Sequence, residues 1–258
     1  MKNIIVCMKI VPKTEEIVFD PETKTIDRSK ASNEINEADK NALELALQLK
    51  DKYGANVIIL SMGPPFFEEF LKLGIAMGAD DAILISDRAL AGSDAFVTAR
   101  ALAKGIEKIG NYDLILCGEE SSDGSTGQVP PGIAQWLDLP VATYISDVLE
   151  VKENKAKVKR VLFEGHEILE VDLPAVLSVE LGCNTPRFPD FRRKKMVEKE
   201  FKLKMWNIQD LGLDPEEVGL KGSKTIVDEL QQLKTREREK KIVEDVDEAV
   251  EIILNAIK

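Results

Sequence analysis

Over the first 145 residues, short runs of Ile, Val and Leu alternate with stretches whose apolar residues recur at helical spacing. The runs at 3–10, 56–62, 81–86, 114–117 and 141–145 carry little polar alternation. Strands buried on both faces of a parallel sheet read this way. Between them, residues 36–53 place Ala42, Leu45, Ala46 and Leu49 at i, i+3, i+4 and i+7, and Gly54 supplies a stop. Residues 65–74 and 94–109 have similar spacing, with Ser93 or Asp94 as the cap of the latter. The pattern predicts an α/β fold, a doubly wound and mostly parallel Rossmann-like sheet.

Two segments break the rhythm. Residues 11–35 read as a β-hairpin or long excursion after the first strand. Beyond 145 the alternation becomes strict over 147–153, 155–163 and 166–173, with Asn154 and Gly165 as turns. That predicts an antiparallel ribbon, followed by a buried strand at 174–181. From Pro186 the chain turns polar, 225–258 reads as two charged helical stretches, and the last 70 residues are too poor in apolar surface for a domain of their own. The expected organisation is a nucleotide-binding α/β domain over 1–185, a recognition loop and linker over 186–224, and a helical arm over 225–258 that packs on another chain.

The segment Leu116-Cys117-Gly118-Glu119-Glu120-Ser121-Ser122-Asp123-Gly124-Ser125-Thr126-Gly127-Gln128-Val129-Pro130 runs from a buried strand into a helix. Ligands of open α/β sheets bind at the carboxyl ends of strands. Gly124 and Gly127 let main chain approach a ligand, and their neighbours' N–H groups with the helix N-terminus can hold a phosphate. Ser125 and Thr126 add hydroxyl donors. Asp123 would repel a phosphate, so it orients the loop or accepts from a ribose hydroxyl. Neither a Walker A sequence nor GxGxxG is present. An ordinary βα turn accounts for the same residues, and the loop alone does not separate the two. Lys9, Ser61 with Gly63, and Asn36 with Asp39 stand at other strand ends or helix starts of the same edge. Each also has a plain reading: a solvated lysine, a turn, a helix cap.

Composition removes several classes. The 35 Lys+Arg against 46 Asp+Glu leave a net charge of −11, which argues against a nonspecific nucleic-acid binder. The three widely separated cysteines and the single His166 form no CxxC or Cys/His cluster, so the spacing of a structural zinc site is missing. No apolar run approaches the ~18 residues of a membrane span, and with no signal sequence the expected compartment is cytoplasmic. Cys7, Cys117 and Cys183 read as small buried hydrophobes, His166 as a surface residue at a turn, and Trp136 and Trp206 as packing residues.

At these residues the chain resembles the β subunit of the electron transfer flavoproteins. The likeness runs through Val6-Cys7-Met8-Lys9-Ile10-Val11-Pro12, residues 36–50, Ser61-Met62-Gly63-Pro64, Ala76-Met77-Gly78-Ala79-Asp80, the 118–130 loop and residues 160–178. Phe163 stands where the family usually has an acidic residue. The resemblance implies an α subunit as partner and a nucleotide at the strand ends: AMP in ordinary members, a second FAD in the electron-bifurcating ones, which take electrons from NADH. The compact Asp123-Gly124-Ser125-Thr126-Gly127-Gln128-Val129 is similar to the bifurcating form, so FAD is the cofactor expected and AMP the alternative. Glu37, in place of a proline, and the Glu119-Glu120 pair depart from that form. Carried onto matching positions, the cofactor-binding residues are Cys7, Lys9, Asn36, Asp39, Ser61, Gly63, Gly118, Asp123, Gly124, Ser125, Thr126, Gly127, Gln128 and Val129. The flavin does the redox chemistry in such a protein, so no catalytic residue is expected. The segment 187–195 matches the family's recognition loop for dehydrogenase or quinone-reductase partners, with Arg187, Phe188 and Phe191 as docking residues. A nucleotide-binding regulatory protein of the universal-stress type shares the α/β pattern but has no use for the ribbon, this loop or the arm.

Overall fold

A computed structural model describes residues 2–13, 18–20, 25–27, 32–226 and 242–257. The chain runs β1 (Asn3–Cys7), β2 (Ile10–Pro12), β3 (Val18–Asp20), β4 (Thr25–Asp27), β5 (Asn33–Ile35), α1 (Glu37–Tyr53), β6 (Asn56–Met62), α2 (Glu68–Met77) and β7 (Asp81–Ile85). It continues through α3 (Ala95–Ile109), β8 (Leu114–Gly118), α4 (Val129–Leu137), β9 (Val141–Lys152), β10 (Lys155–Leu162), β11 (Gly165–Asp172) and β12 (Ala175–Val179). Then come α5 (Phe191–Glu200), β13 (Lys204–Trp206), α6 (Gly219–Gly222) and α7 (Val246–Ile257).

The main sheet has the order β11-β10-β9-β12-β8-β1-β6-β7-β13. From the first half of β9 to β13 every pair is parallel. Ile4, Val6, Val57, Ile59, Leu114 and Leu116 face α1 and α2; Ile5, Cys7, Leu60, Ile115 and Cys117 face α3 and α4. Both faces are covered, which is why these strands show no polar alternation. The antiparallel ribbon β9-β10-β11 extends one edge. The excursion after β1 is hairpin-like where described: β2 pairs with β5 and β3 with β4, both antiparallel.

Four boundaries differ from the sequence reading. The first strand stops at Cys7 instead of 10, because the Lys9 N–H leaves the sheet for the Asp39 carboxylate at 2.8 Å. The second helix starts later and passes three residues beyond Gly74, where a Cβ would stand 2.4 Å from Ile59 Cδ1, so the glycine lets the helix pack closely on β6. The parallel strand at 141–145 and the ribbon strand at 147–153 are one twelve-residue strand, β9. Residues 191–200, expected as part of a loop, form α5, whose first turn is capped by the Asp190 side chain accepting from Arg193 N at 2.7 Å. Of the C-terminal arm, Arg236–Lys241 lies outside the described residues.

Candidate functional site

The sheet's topological switch lies between β1 and β8. From β1 the chain moves outward to β6 and β7, then returns to β8 on the other side of β1. Connections diverge at such a point and leave a crevice at the carboxyl ends. Lys9 follows β1 there, the 119–128 loop follows β8, and the start of α1 closes over both. The two oxygens of Asp39 accept from Lys9 N and Gly118 N, each at 2.8 Å, so one carboxylate joins the ends of two strands. A Cβ on Gly118 would stand 2.5 Å from Asp39 Oδ1, so only glycine admits the helix this close. Asn36 occupies the N-cap position of α1 without a side-chain cap bond. Its amide instead donates to Glu120 O at 2.9 Å and accepts from Ser122 N at 3.2 Å. Burial pushes the Asp39 carboxyl up to about 6, against the pull of the two N–H donors and Lys9.

The loop is folded on itself. Ser125 N donates to Ser121 O at 2.8 Å, and Lys9 Nζ reaches Ser121 Oγ at 2.9 Å and Asp123 Oδ1 at 2.5 Å. Burial works against the Asp123 charge, but the Lys9 ammonium outweighs it and holds that carboxyl below its ordinary value. Asp123 thus ties the loop to the residue that follows β1. Ser125 and Gly127 have φ of 44° and 60°, the left-handed region where glycine is at ease. The helix that follows gives less than its position promised: Pro130 and Pro131 occupy its first turn and carry no N–H. The donors free for a ligand come from just upstream. Among the described residues the N–H groups of Thr126, Gly127 and Val129 make no hydrogen bond. Three unsatisfied donors, a glycine turn, the Asp123-paired Lys9 ammonium and the positive end of α4 meet at the switch point, a set of groups whose chemistry suits an anion.

Comparison with known proteins gives the family. The electron transfer flavoprotein domain matches residues 23–203. An electron transfer flavoprotein subunit beta of Thermoanaerobacterium thermosaccharolyticum is 44% identical over 225 residues, 87% of this chain and 86% of that one. The chain belongs to the electron transfer flavoprotein β-subunit family. The caffeyl-CoA reductase-Etf complex subunit CarD of Acetobacterium woodii is 43% identical, covering 87% of this chain and 86% of its own length. Protein FixA of Azotobacter vinelandii is 40% identical, covering 94% and 88%. The resemblance read from the loop and strand ends is therefore the family itself, and electron transfer is the function class.

Within this family framework the remaining candidates separate by position. Ser61 is 1% exposed at the end of β6, and its Oγ has no hydrogen-bond partner among the described residues. A Cβ on Gly63 would meet the Phe67 ring at 2.2 Å, so the ring packs directly on that glycine. The Cys7 thiol is buried in the α3–α4 layer with the Cys117 thiol, whose pKa that neighbour and burial raise well above the usual range. Of the docking residues, Phe188 and Phe191 are 94% and 68% exposed, whereas Arg187 pairs with Glu44 and Asp51 at 2.9 Å each. One neighbour of the loop escaped the sequence reading. The Tyr144 hydroxyl lies 4.0 Å from where a Cβ on Gly127 would sit. A cavity of about 180 Å³ beside Asn36 and Glu120 adjoins the loop; a larger one, about 370 Å³, lies on the ribbon among Lys and Glu side chains that read as a solvated face. Among the described residues no cluster of His, Cys, Asp or Glu is placed to hold a metal, and no helix is long and apolar enough to cross a membrane.

Proposed function

We propose that the crevice between β1 and β8 binds FAD by its adenine-nucleotide end. With an electron transfer flavoprotein α subunit, the chain then passes electrons from NADH or a dehydrogenase to quinone- or ferredoxin-type acceptors by flavin-based bifurcation. The observation that carries the reading is the cradle: the free N–H groups of Thr126, Gly127 and Val129, beside Lys9, at the switch point of the sheet. The residues fit the group. Main-chain donors suit a pyrophosphate, the turn at Gly127 keeps side chains out of its way, and the orphaned Ser61 Oγ at the same edge suits a polar atom of the nucleotide. FAD bound here supplies the redox chemistry. The chain's own residues bind and orient. Lys9 screens phosphate charge against Asp123, Asn36 fixes the loop's entry, and Asp39 sets the spacing of the strand ends.

The compact Asp123–Val129 sequence supports FAD over AMP. The likeness to CarD, a subunit of a reductase–Etf complex, supports a place in a complex with a redox partner. Acid extraction of the purified αβ complex followed by chromatography tests the reading. Two FAD per heterodimer is the expected count. One FAD with one AMP converts the reading to a non-bifurcating carrier, and no nucleotide at all overturns the cradle.

A further inference from the structure

Tyr144 is the least comfortable residue of β9. Its φ is 56°, in the left-handed region that a bulky aromatic side chain rarely adopts. A residue held there is strained and persists only where the surroundings over-determine it. Here they do. β9 bulges against β12: Leu177 pairs with Ala142 and Val179 with Ile145, so three residues of β9 span two of β12. The Tyr144 N–H, turned out of the ladder, donates to the Oγ of buried Ser178 at 3.1 Å. Ile145, the next residue, is fully buried and pins the strand. The bulge leaves the Tyr144 ring half-exposed, at the carboxyl end of the parallel sheet, with its hydroxyl against Gly127. Packing does not explain the strain, since 49% of the residue remains exposed. Strain of this kind gathers at ligand clamps.

We propose that Tyr144 is a nucleotide-binding residue, its hydroxyl donating to a phosphate oxygen held by the N–H groups around Gly127. This rests on the reading of the 118–128 loop as a nucleotide cradle. It adds a side-chain donor from β9, two strands away from β8, and so gives the strand's bulge a purpose. A phenolic O–H suits the position: it donates to an anion without adding a charge beside Glu119 and Glu120. The family's sequence motifs, as read from this chain, point to the loop and not to this strand.

The test is the affinity of the full chain for AMP and for FAD by titration calorimetry, with thermal unfolding run alongside. Wild type is compared with Tyr144→Phe, which keeps the ring, and with Tyr144→Gly, which also relaxes the backbone. The expected result is roughly tenfold weaker nucleotide binding in Tyr144→Phe, the worth of one hydrogen bond to a charged group, with an unchanged unfolding midpoint. Tyr144→Gly binds at least as weakly as Tyr144→Phe. If wild type binds either nucleotide and Tyr144→Phe binds it equally well, the assignment of Tyr144 is overturned while the cradle stands. A lower midpoint with unchanged affinity gives Tyr144 a structural role and overturns the assignment too. If wild type binds neither nucleotide, the cradle falls, and Tyr144's role with it.

Discussion

Burial and hydrogen bonding pull the Asp39 carboxyl in opposite directions, and burial wins, leaving it near 6. The sign of the consequence follows from linkage. The folded chain takes up this proton as pH falls through about 6, whereas the unfolded chain, with the ordinary value of 3.8, waits until lower pH. Between those values the native state binds more protons, so this group adds stability as pH falls, and the increment is absent above 6. One unit below 6 the gain is about 1.4 kcal/mol. Urea unfolding at pH 7, 6 and 5 is expected to show wild type gaining this much over Asp39→Asn by pH 5. A difference that stays constant or shrinks contradicts the raised value. The thiols give a second residue-scale expectation. Cys7 and Cys117 are 6% and 4% exposed, and burial raises the half-buried Cys183 to about 11. A thiolate, not a thiol, attacks disulfide reagents. At pH 8 the native chain is therefore expected to release colour from an aromatic disulfide reagent slowly and at Cys183 alone, and from all three cysteines after denaturation. Fast labelling of two thiols contradicts the buried pair.

At the scale of elements, helix α5 shows how a polar stretch is held. Its apolar content is small, and Val197 is its buried side chain. Arg193 compensates by donating to the carbonyls of Ile75, at 2.6 Å, and Ala79, where α2 ends and its last oxygens need partners. Asp190 N adds a bond to Ala76 O at 3.0 Å. Arg193→Ala is expected to lower stability by about 2 kcal/mol, the scale of charged hydrogen bonds. It should speed amide exchange across residues 191–200 while the central strands keep their protection. The same helix presents Phe191 outward, with Lys195 Nζ 4.5 Å from its ring centre. Since a few exposed aromatics carry most docking energy, Phe191→Ala is expected to slow electron delivery to a partner dehydrogenase with nucleotide content intact. Stopped-flow reduction checks it, and unchanged transfer rates remove Phe191 from the interface. Elements were legible where one physical signal dominated. Doubly buried strands are near-continuous Ile, Val and Leu, and Asp94 before 95–109 does cap that helix, accepting from Val97 N at 3.0 Å. α5 was not legible, because its helix rests on an Arg-to-carbonyl clamp that hydrophobic spacing cannot register.

For the whole molecule, the site was legible because the topology gathers it: Lys9, Asn36, Asp39 and the loop are far apart in sequence but meet at one switch point. Their roles were harder to read. The sequence does not show that Gly63 and Gly118 also make room for Phe67 and Asp39, and a positive φ at Tyr144 leaves no mark in it. The arm poses the remaining question. The body holds its root firmly: Asp94 accepts from Lys224 N at 2.8 Å and from Thr225 N at 3.0 Å, and Lys224 Nζ lies 5.3 Å from the Phe96 ring centre. Farther on, α7 displays Val246, Val250, Ile253 and Leu254 to solvent. An apolar stripe at that spacing is a face for another surface, and we propose the α subunit as that surface. A chain ending at residue 226 keeps the sheet, the loop and the Asp94 anchor, so its unfolding midpoint and its affinity for AMP are expected to match the full chain. Co-expressed with the α subunit, it is expected to elute alone in gel filtration where the full chain elutes as a heterodimer. A truncated chain that still pairs moves the subunit contact to the ribbon and the body. One that no longer folds shows instead that the stripe closes on this chain's own core.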